Sequence, residues 1–248
     1  MRRILFYSIL TAIVLWGCQR DIHSVAGEAQ LQISFQHYID AAPFALNTSY
    51  TNHFGEAFTI TKFKYYISNI ELWSGNSSTL MKDTYFLIDE ADAASKNIQL
   101  NIPPGYYSGI SFLIGVDSLH NVSGAQSGAL DPTNGMFWTW NTGYIMAKME
   151  GTSPVSPLPN QKIEYHIGGF AAPNNALRRV QFHFDNAVNI SDKNALHIDI
   201  SANLQKWFDG PNAIRITDNA GTMTPGNLAN KIADNYSAMF ALTSAQTQ

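Results

Sequence analysis

The chain has 248 residues and a single cysteine, Cys18. Charged residues make up only 14% of it, and the formal net charge is -4 at pH 7. With one thiol there is no intramolecular disulfide and no thiolate metal site. With so little positive charge there is no basic footprint for nucleic acid. Internal repeats, low-complexity tracts and long charge runs are missing. So are a Gly-x-Ser-x-Gly elbow, a phosphate loop and a His-Glu-x-x-His pair. A binding protein, not an enzyme, is the expectation.

The lone cysteine sits in an informative place. Arg2 and Arg3 precede the apolar run Ile4–Trp16, and Leu15-Trp16-Gly17-Cys18 fits a bacterial lipobox. The run is too short to span a bilayer and has the length of a signal-peptide core. Residues 1–17 are therefore expected to be a lipoprotein signal peptide. Residues 18–30 are the expected acylated N-terminus and tether, with stable anchoring through more than one acyl chain. Gln19 after the cysteine points to the outer membrane, lipid-anchored, with the body periplasmic or surface-exposed. Such a mature chain, without disulfides in an oxidising compartment, must fold on its core alone or with a metal's help.

Residues 31–248 read as one all-β domain, a β-sandwich with long loops and a C-terminal α-helix. Leu31, Ile33 and Phe35 alternate with polar residues, the mark of a half-buried strand. Residues 57–73 are long enough for two strands or one bent strand with a bulge. Further strands are expected at 85–88, 98–102, 106–116, 137–149 (interrupted at Gly143), 163–167, 180–184 and 196–200, with a loop at 151–159. Thr224 and Pro225 read as the cap and first residue of a helix to Phe240. Its apolar stripe would be Leu228, Ile232, Tyr236 and Phe240. Residues 203–208 suggest a short helical turn.

The least ordinary stretch runs from Gly115-Val116-Asp117-Ser118 through Leu130-Asp131-Pro132-Thr133-Asn134-Gly135-Met136-Phe137-Trp138-Thr139-Trp140-Asn141-Thr142-Gly143-Tyr144 to Lys148-Met149-Glu150-Gly151. Trp138 and Trp140, two residues apart, share a face in extended backbone. This block, with Phe35-Gln36-His37, Lys64-Tyr65-Tyr66-Ile67-Ser68-Asn69-Ile70, Pro104-Gly105-Tyr106-Tyr107, His166-Ile167-Gly168-Gly169 and Asn230 to Tyr236, resembles the MbnP-like family, bacterial envelope proteins related to copper-binding proteins of methanotrophs. The resemblance runs in order over most of the mature chain. It implies a β-sandwich with long loops and one copper ion held by two histidines. It also implies a tryptophan oxidised to kynurenine, and so a tryptophan-oxidising redox partner. Here Trp138-Thr139-Trp140 has no adjacent histidine.

The metal ligands expected from this reading are His37, at the end of an apolar strand face, and His166, beside paired glycines, with Trp138 and Trp140 as neighbours. Neutral imidazole suits copper, and glycines let backbone approach closely. His37 reads equally as a hydrogen-bonded core-edge residue, and His166 as an outward polar one. The fallback pair is His183 and His197, which share a face with Asp185 and Asp199 if their strands pair. Asp117, Asp131 and Asn134 fit calcium chemistry less well than Asx turns. His23, His53 and His120 lack supporting context. Two competing functions stand beside copper capture: a surface module binding glycan or protein through aromatic loops, and a structural lipoprotein without metal.

The leader yields the first prediction. Cys18→Ser should abolish fatty-acid labelling and membrane association; unchanged lipid incorporation would contradict acylation at this residue.

Overall fold

Strict alternation drives the first layer. In the computed structural model, which describes residues 27–140 and 143–247, Ala29–Ile39 buries Leu31, Ile33, Phe35 and His37 and turns the intervening glutamines and serine outward. Leader, cysteine, tether start, Asn141 and Thr142 lie outside the described residues. Ala29–Ile39 is the centre of a five-stranded sheet. It pairs in parallel with Ala195–Asn203, which carries Phe240–Thr247 on its far edge. Asn97–Ile102 and Ala42–Pro43 pair antiparallel with its other edge.

The second layer is a ten-stranded sheet built on one 18-residue strand, Ala57–Ser74. It bends where Asn69 takes φ 48, with a register shift between Ser68 and Glu71. Of the two readings of residues 57–73, the bulged single strand is the one observed. One of its edges carries Tyr85–Asp89, opposite residues 64–68. The other edge is divided. Residues 59–65 pair with Gly143–Thr152, and residues 67–73 pair with Gly105–Ile114. Gly143–Thr152 continues into Lys162–Gly168, and Gly105–Ile114 into Arg178–Ile190. The sheet therefore forks beside Tyr66, and its two arms separate there.

Between the sheets lies an aromatic core. Phe35 meets Tyr65, Phe112 and Phe240 edge-on, with ring centroids 5.9 to 6.1 Å apart. Such contacts add about 0.5–1.5 kcal/mol each beyond area burial. The mostly-strand sandwich is the fold expected from the sequence, with three corrections. The helix is Asn227–Ser237, capped at Gly226, and is shorter at both ends than 225–240. Phe240 leaves the helical stripe and opens the strand Phe240–Thr247, because its ring fills the core against Phe35 and Phe112. Residues 137–149 are two pieces, Phe137–Trp138 folding back on Gly143–Thr152, which runs on into the expected loop. The turn at 203–208 is a 3-10 helix, Leu204–Trp207.

The helix buries Ala229, Ile232, Ala233 and Tyr236, while Leu228 is half-buried. Ile232 is 1% exposed, so Ile232→Ala should cost about 2–5 kcal/mol. Urea unfolding should show the lower midpoint with an unchanged slope. A loss well below 1 kcal/mol would show that the helix is not a structural lid.

Candidate functional site

Residues 115–140 cross the outer face of the larger sheet and are tied down at many points along their length. Asp117 caps the short helix Ser118–Asn121, accepting from the Leu119 and His120 amides. The Asn121 amide donates to the Val116 carbonyl at 2.5 Å, and its oxygen accepts from the Tyr144 backbone N–H at 2.8 Å. Asp131 caps the 3-10 turn Pro132–Asn134, and Gly135 closes it at φ 71. Asn134 donates to the Gly128 and Ala129 carbonyls, each at 3.0 Å. From the sheet below, Tyr66 donates to the Ala129 carbonyl at 3.0 Å, Tyr144 to Leu130 at 2.8 Å and Lys148 to Gly135 at 2.5 Å. Asp117, Asp131 and Asn134 thus serve as caps and turn formers, the Asx-turn alternative to calcium.

This wrapping leaves a recess of about 300 Å³ at the fork, lined by Asn121, Trp138, Tyr144, Phe170, Asn174 and Pro225. Trp138 is 4% exposed, and its ring rests on Gly168. A Cβ at residue 168 would lie 2.5 Å from that ring. Gly169 adopts φ +114, a conformation L side chains rarely take, and a Cβ there would meet the Asn174 carbonyl at 2.2 Å. The paired glycines therefore serve the indole and the turn beyond it. Trp140, 59% exposed, lies against Trp138 with centroids 5.6 Å apart. Among the described residues the buried Trp138 Nε1 has no hydrogen-bond partner. An orphaned buried N–H is uncommon, because it forfeits its solvation without return.

The structure does not bring His37 and His166 together. His166, Lys148 and Lys64 form one cross-strand row of the larger sheet, and Tyr165, Met149 and Phe63 form the next, so the two rows face opposite ways. His37 packs edge-on against Phe63 and Tyr65, at 5.2 and 5.6 Å, on the inner face. His166 is on the outer face, where its Nε2 meets Glu150 Oε1 at 2.9 Å. The fallback pair is also separated. His183 is in the larger sheet against Trp73, and His197 is in the smaller one, opposite Gln32 and Gln246. Among the described residues no three His, Cys, Asp or Glu side chains converge on one point.

His37 has another task. Its Nδ1 lies 2.5 Å from Glu90 Oε2, its Nε2 lies 2.9 Å from the Tyr65 hydroxyl, and Lys96 Nζ donates to Glu90 Oε1 at 3.0 Å. Burial pushes the His37 pKa down against the pull of Glu90. Burial also keeps the Tyr65 phenol protonated. Burial works to raise Glu90, but hydrogen bonds and charges from His37 and Lys96 outweigh it and hold Glu90 low. One protonation state satisfies all four groups: Lys96 charged, Glu90 ionised, Nδ1–H donating to Glu90, and Tyr65 donating to Nε2. Both ring nitrogens are occupied, so His37 fastens the smaller sheet to the larger one at two points, Tyr65 and Glu90. Glu90 could not be paired with His37 from the sequence, since 53 residues separate them.

On the outer face Glu150 is pushed down to about 2, first by its hydrogen bond from His166 and then by Lys62 and Lys148, against its burial. His53 bridges Asp209 at 2.8 Å and Asp40 at 3.0 Å. Those two hydrogen bonds, Asp209 first, raise its pKa.

The MbnP family model matches residues 28–225. Among solved structures, MbnP from Methylosinus trichosporium superposes with a TM-score of 0.52 and 16% identity, over 81% of this chain and 83% of that one. It shares the fold. No curated protein matches the sequence.

The His37 network predicts a pH dependence. A histidine with a folded pKa below its unfolded value, about 6.5, stabilises fully above that value and loses the contribution as pH falls. Depressed Glu90 works in the same direction at lower pH. Stability should therefore decline from pH 7 to pH 5, and more gently in His37→Gln. Exposed His53 acts in the opposite sense but is common to both proteins. Equal slopes in urea unfolding at pH 7, 6 and 5 would contradict the neutral, buried imidazole.

Proposed function

The chain belongs to the MbnP family, and from that premise we propose that it is a lipid-anchored outer-membrane protein that binds a saccharide end in the recess at the sheet fork. The observation that carries this reading is the buried, partnerless Trp138 indole N–H beside exposed Trp140. A sugar ring presents an apolar C–H face and a rim of hydroxyls. Trp140 offers the flat apolar surface, and Asn121, Tyr144 and Asn174 are polar residues in the lining of the recess beside it. The volume suits a single sugar residue, at the small end of ligand sites. Anchoring through Cys18 would hold the body at the envelope and leave recognition to the loops.

Copper is the second reading. It is favoured by the family and by one placement: His166 lies two residues from Gly168, on the same face of its strand, and Trp138 rests on Gly168. An ion there would have one imidazole and, after oxidation by a partner, a modified Trp138, without His37.

Tryptophan fluorescence of the purified protein, titrated with mono- and disaccharides, separates the readings when paired with metal analysis. Saturable quenching that Trp140→Ala weakens at least tenfold supports saccharide binding. No response from any sugar, together with one copper per chain, would replace it with the copper reading.

A further inference from the structure

The helix Ser118–Asn121 carries a second built arrangement, around His120, that shares no residue with the Trp138 recess. The His120 ring packs on Tyr85 with centroids 4.6 Å apart. The Tyr85 hydroxyl donates to Asp117 Oδ2 and lies 2.6 Å from His120 Nδ1. A phenol has one proton. With that proton given to the carboxylate, the oxygen can only accept from Nδ1. Asp117 Oδ1, 3.3 Å from the same nitrogen, is a second acceptor on that side. Asp117 itself is tied down by the Asn69 side chain at 3.2 Å and by the Leu119 and His120 amides. The surroundings thus place the ring proton on Nδ1 and leave the Nε2 lone pair pointing the other way.

Nε2 faces a carboxylate. Asp83 Oδ1 lies 3.7 Å away, beyond hydrogen-bond distance. The two groups open on a recess of about 440 Å³ that Gln126 and Ser127 also line. The Gln126 amide nitrogen donates to the His120 carbonyl at 2.9 Å, which fixes that side chain at the rim.

We propose that His120 Nε2 and the Asp83 carboxylate bind a divalent ion of borderline softness, zinc or Cu(II), with water completing its shell. An ion about 2.0–2.1 Å from each atom spans their 3.7 Å gap at an angle of roughly 125°. Imidazole with carboxylate suits these ions, whereas calcium and magnesium favour all-oxygen shells. The chain Nδ1–H to Tyr85 to Asp117 is the outer-shell support that metal-binding imidazoles receive, fixing the tautomer and ring orientation. Two protein ligands make an open, exchangeable site, not one on which folding depends.

Calorimetric titration of the purified protein with zinc alone tests this. One zinc per chain should bind, and His120→Ala and Asp83→Asn should each weaken binding at least tenfold. Tyr85→Phe, which removes the nearer Nδ1 acceptor and leaves both ligands, should weaken it about tenfold. His183→Ala and Trp140→Ala should leave it unchanged. X-ray absorption of the unmutated protein with one equivalent of zinc should show a single imidazole in an otherwise oxygen shell, a readout independent of how the variants fold. No zinc binding, unchanged affinity in His120→Ala, or two or more imidazoles in the zinc shell would overturn the proposal.

Discussion

One edge of the Ala57–Ser74 strand is divided between two partners, and most of the molecule follows from that division. Gly143–Thr152 takes residues 59–65, and Gly105–Ile114 takes residues 67–73. A strand edge offers one row of backbone donors and acceptors, so neither partner can continue past the other. The arms must part at Tyr66, and the chain leaving Ile114 must cross open outer face before it re-enters at Gly143. The long segment 115–140 makes that crossing. Its hydrogen bonds to Tyr66, Tyr144 and Lys148 fix it against the sheet. The Trp138 recess is the space left where the arms diverge.

The two faces of this sheet do different work. The inner face is a continuous aromatic core into which His37 is sealed by Glu90 and Tyr65. The outer face holds charge and shape: the His166–Glu150–Lys62 network, the indole pair and the His120–Tyr85–Asp117 chain. A single ion held by both His37 and His166 would need ligands on both sides of one sheet. No side-chain rotation achieves that.

Period-2 alternation made the strands legible, because one-sided burial imposes it: Leu31, Ile33 and Phe35 point inward in the structure as their spacing implies. The turn chemistry of Asp117, Asp131 and Asn134 was legible for the same local reason. The last strand was not, because Phe240 fits the four-residue spacing of the helix before it and only tertiary packing removes it from the helix. The site was half legible. Trp138, Trp140, Tyr144 and Gly168 stand out in the chain, whereas Phe170, Asn174 and Pro225 reach the recess only through tertiary folding. The parity of His37 and His166 says which face of its own strand each occupies. It cannot say which side of the larger sheet receives His37, a relation between two sheets.

The central claim, that the fork recess and not a His37–His166 pair is where this protein meets its ligand, is tested most directly at the Trp138 indole N–H. In a ¹H–¹⁵N spectrum of the labelled protein, the Trp138 indole signal should shift saturably with a bound saccharide while that of Trp207, sealed in the core at 1% exposure, stays in place. An indole signal that no sugar moves, with copper perturbing the rings of both His37 and His166, would contradict the account.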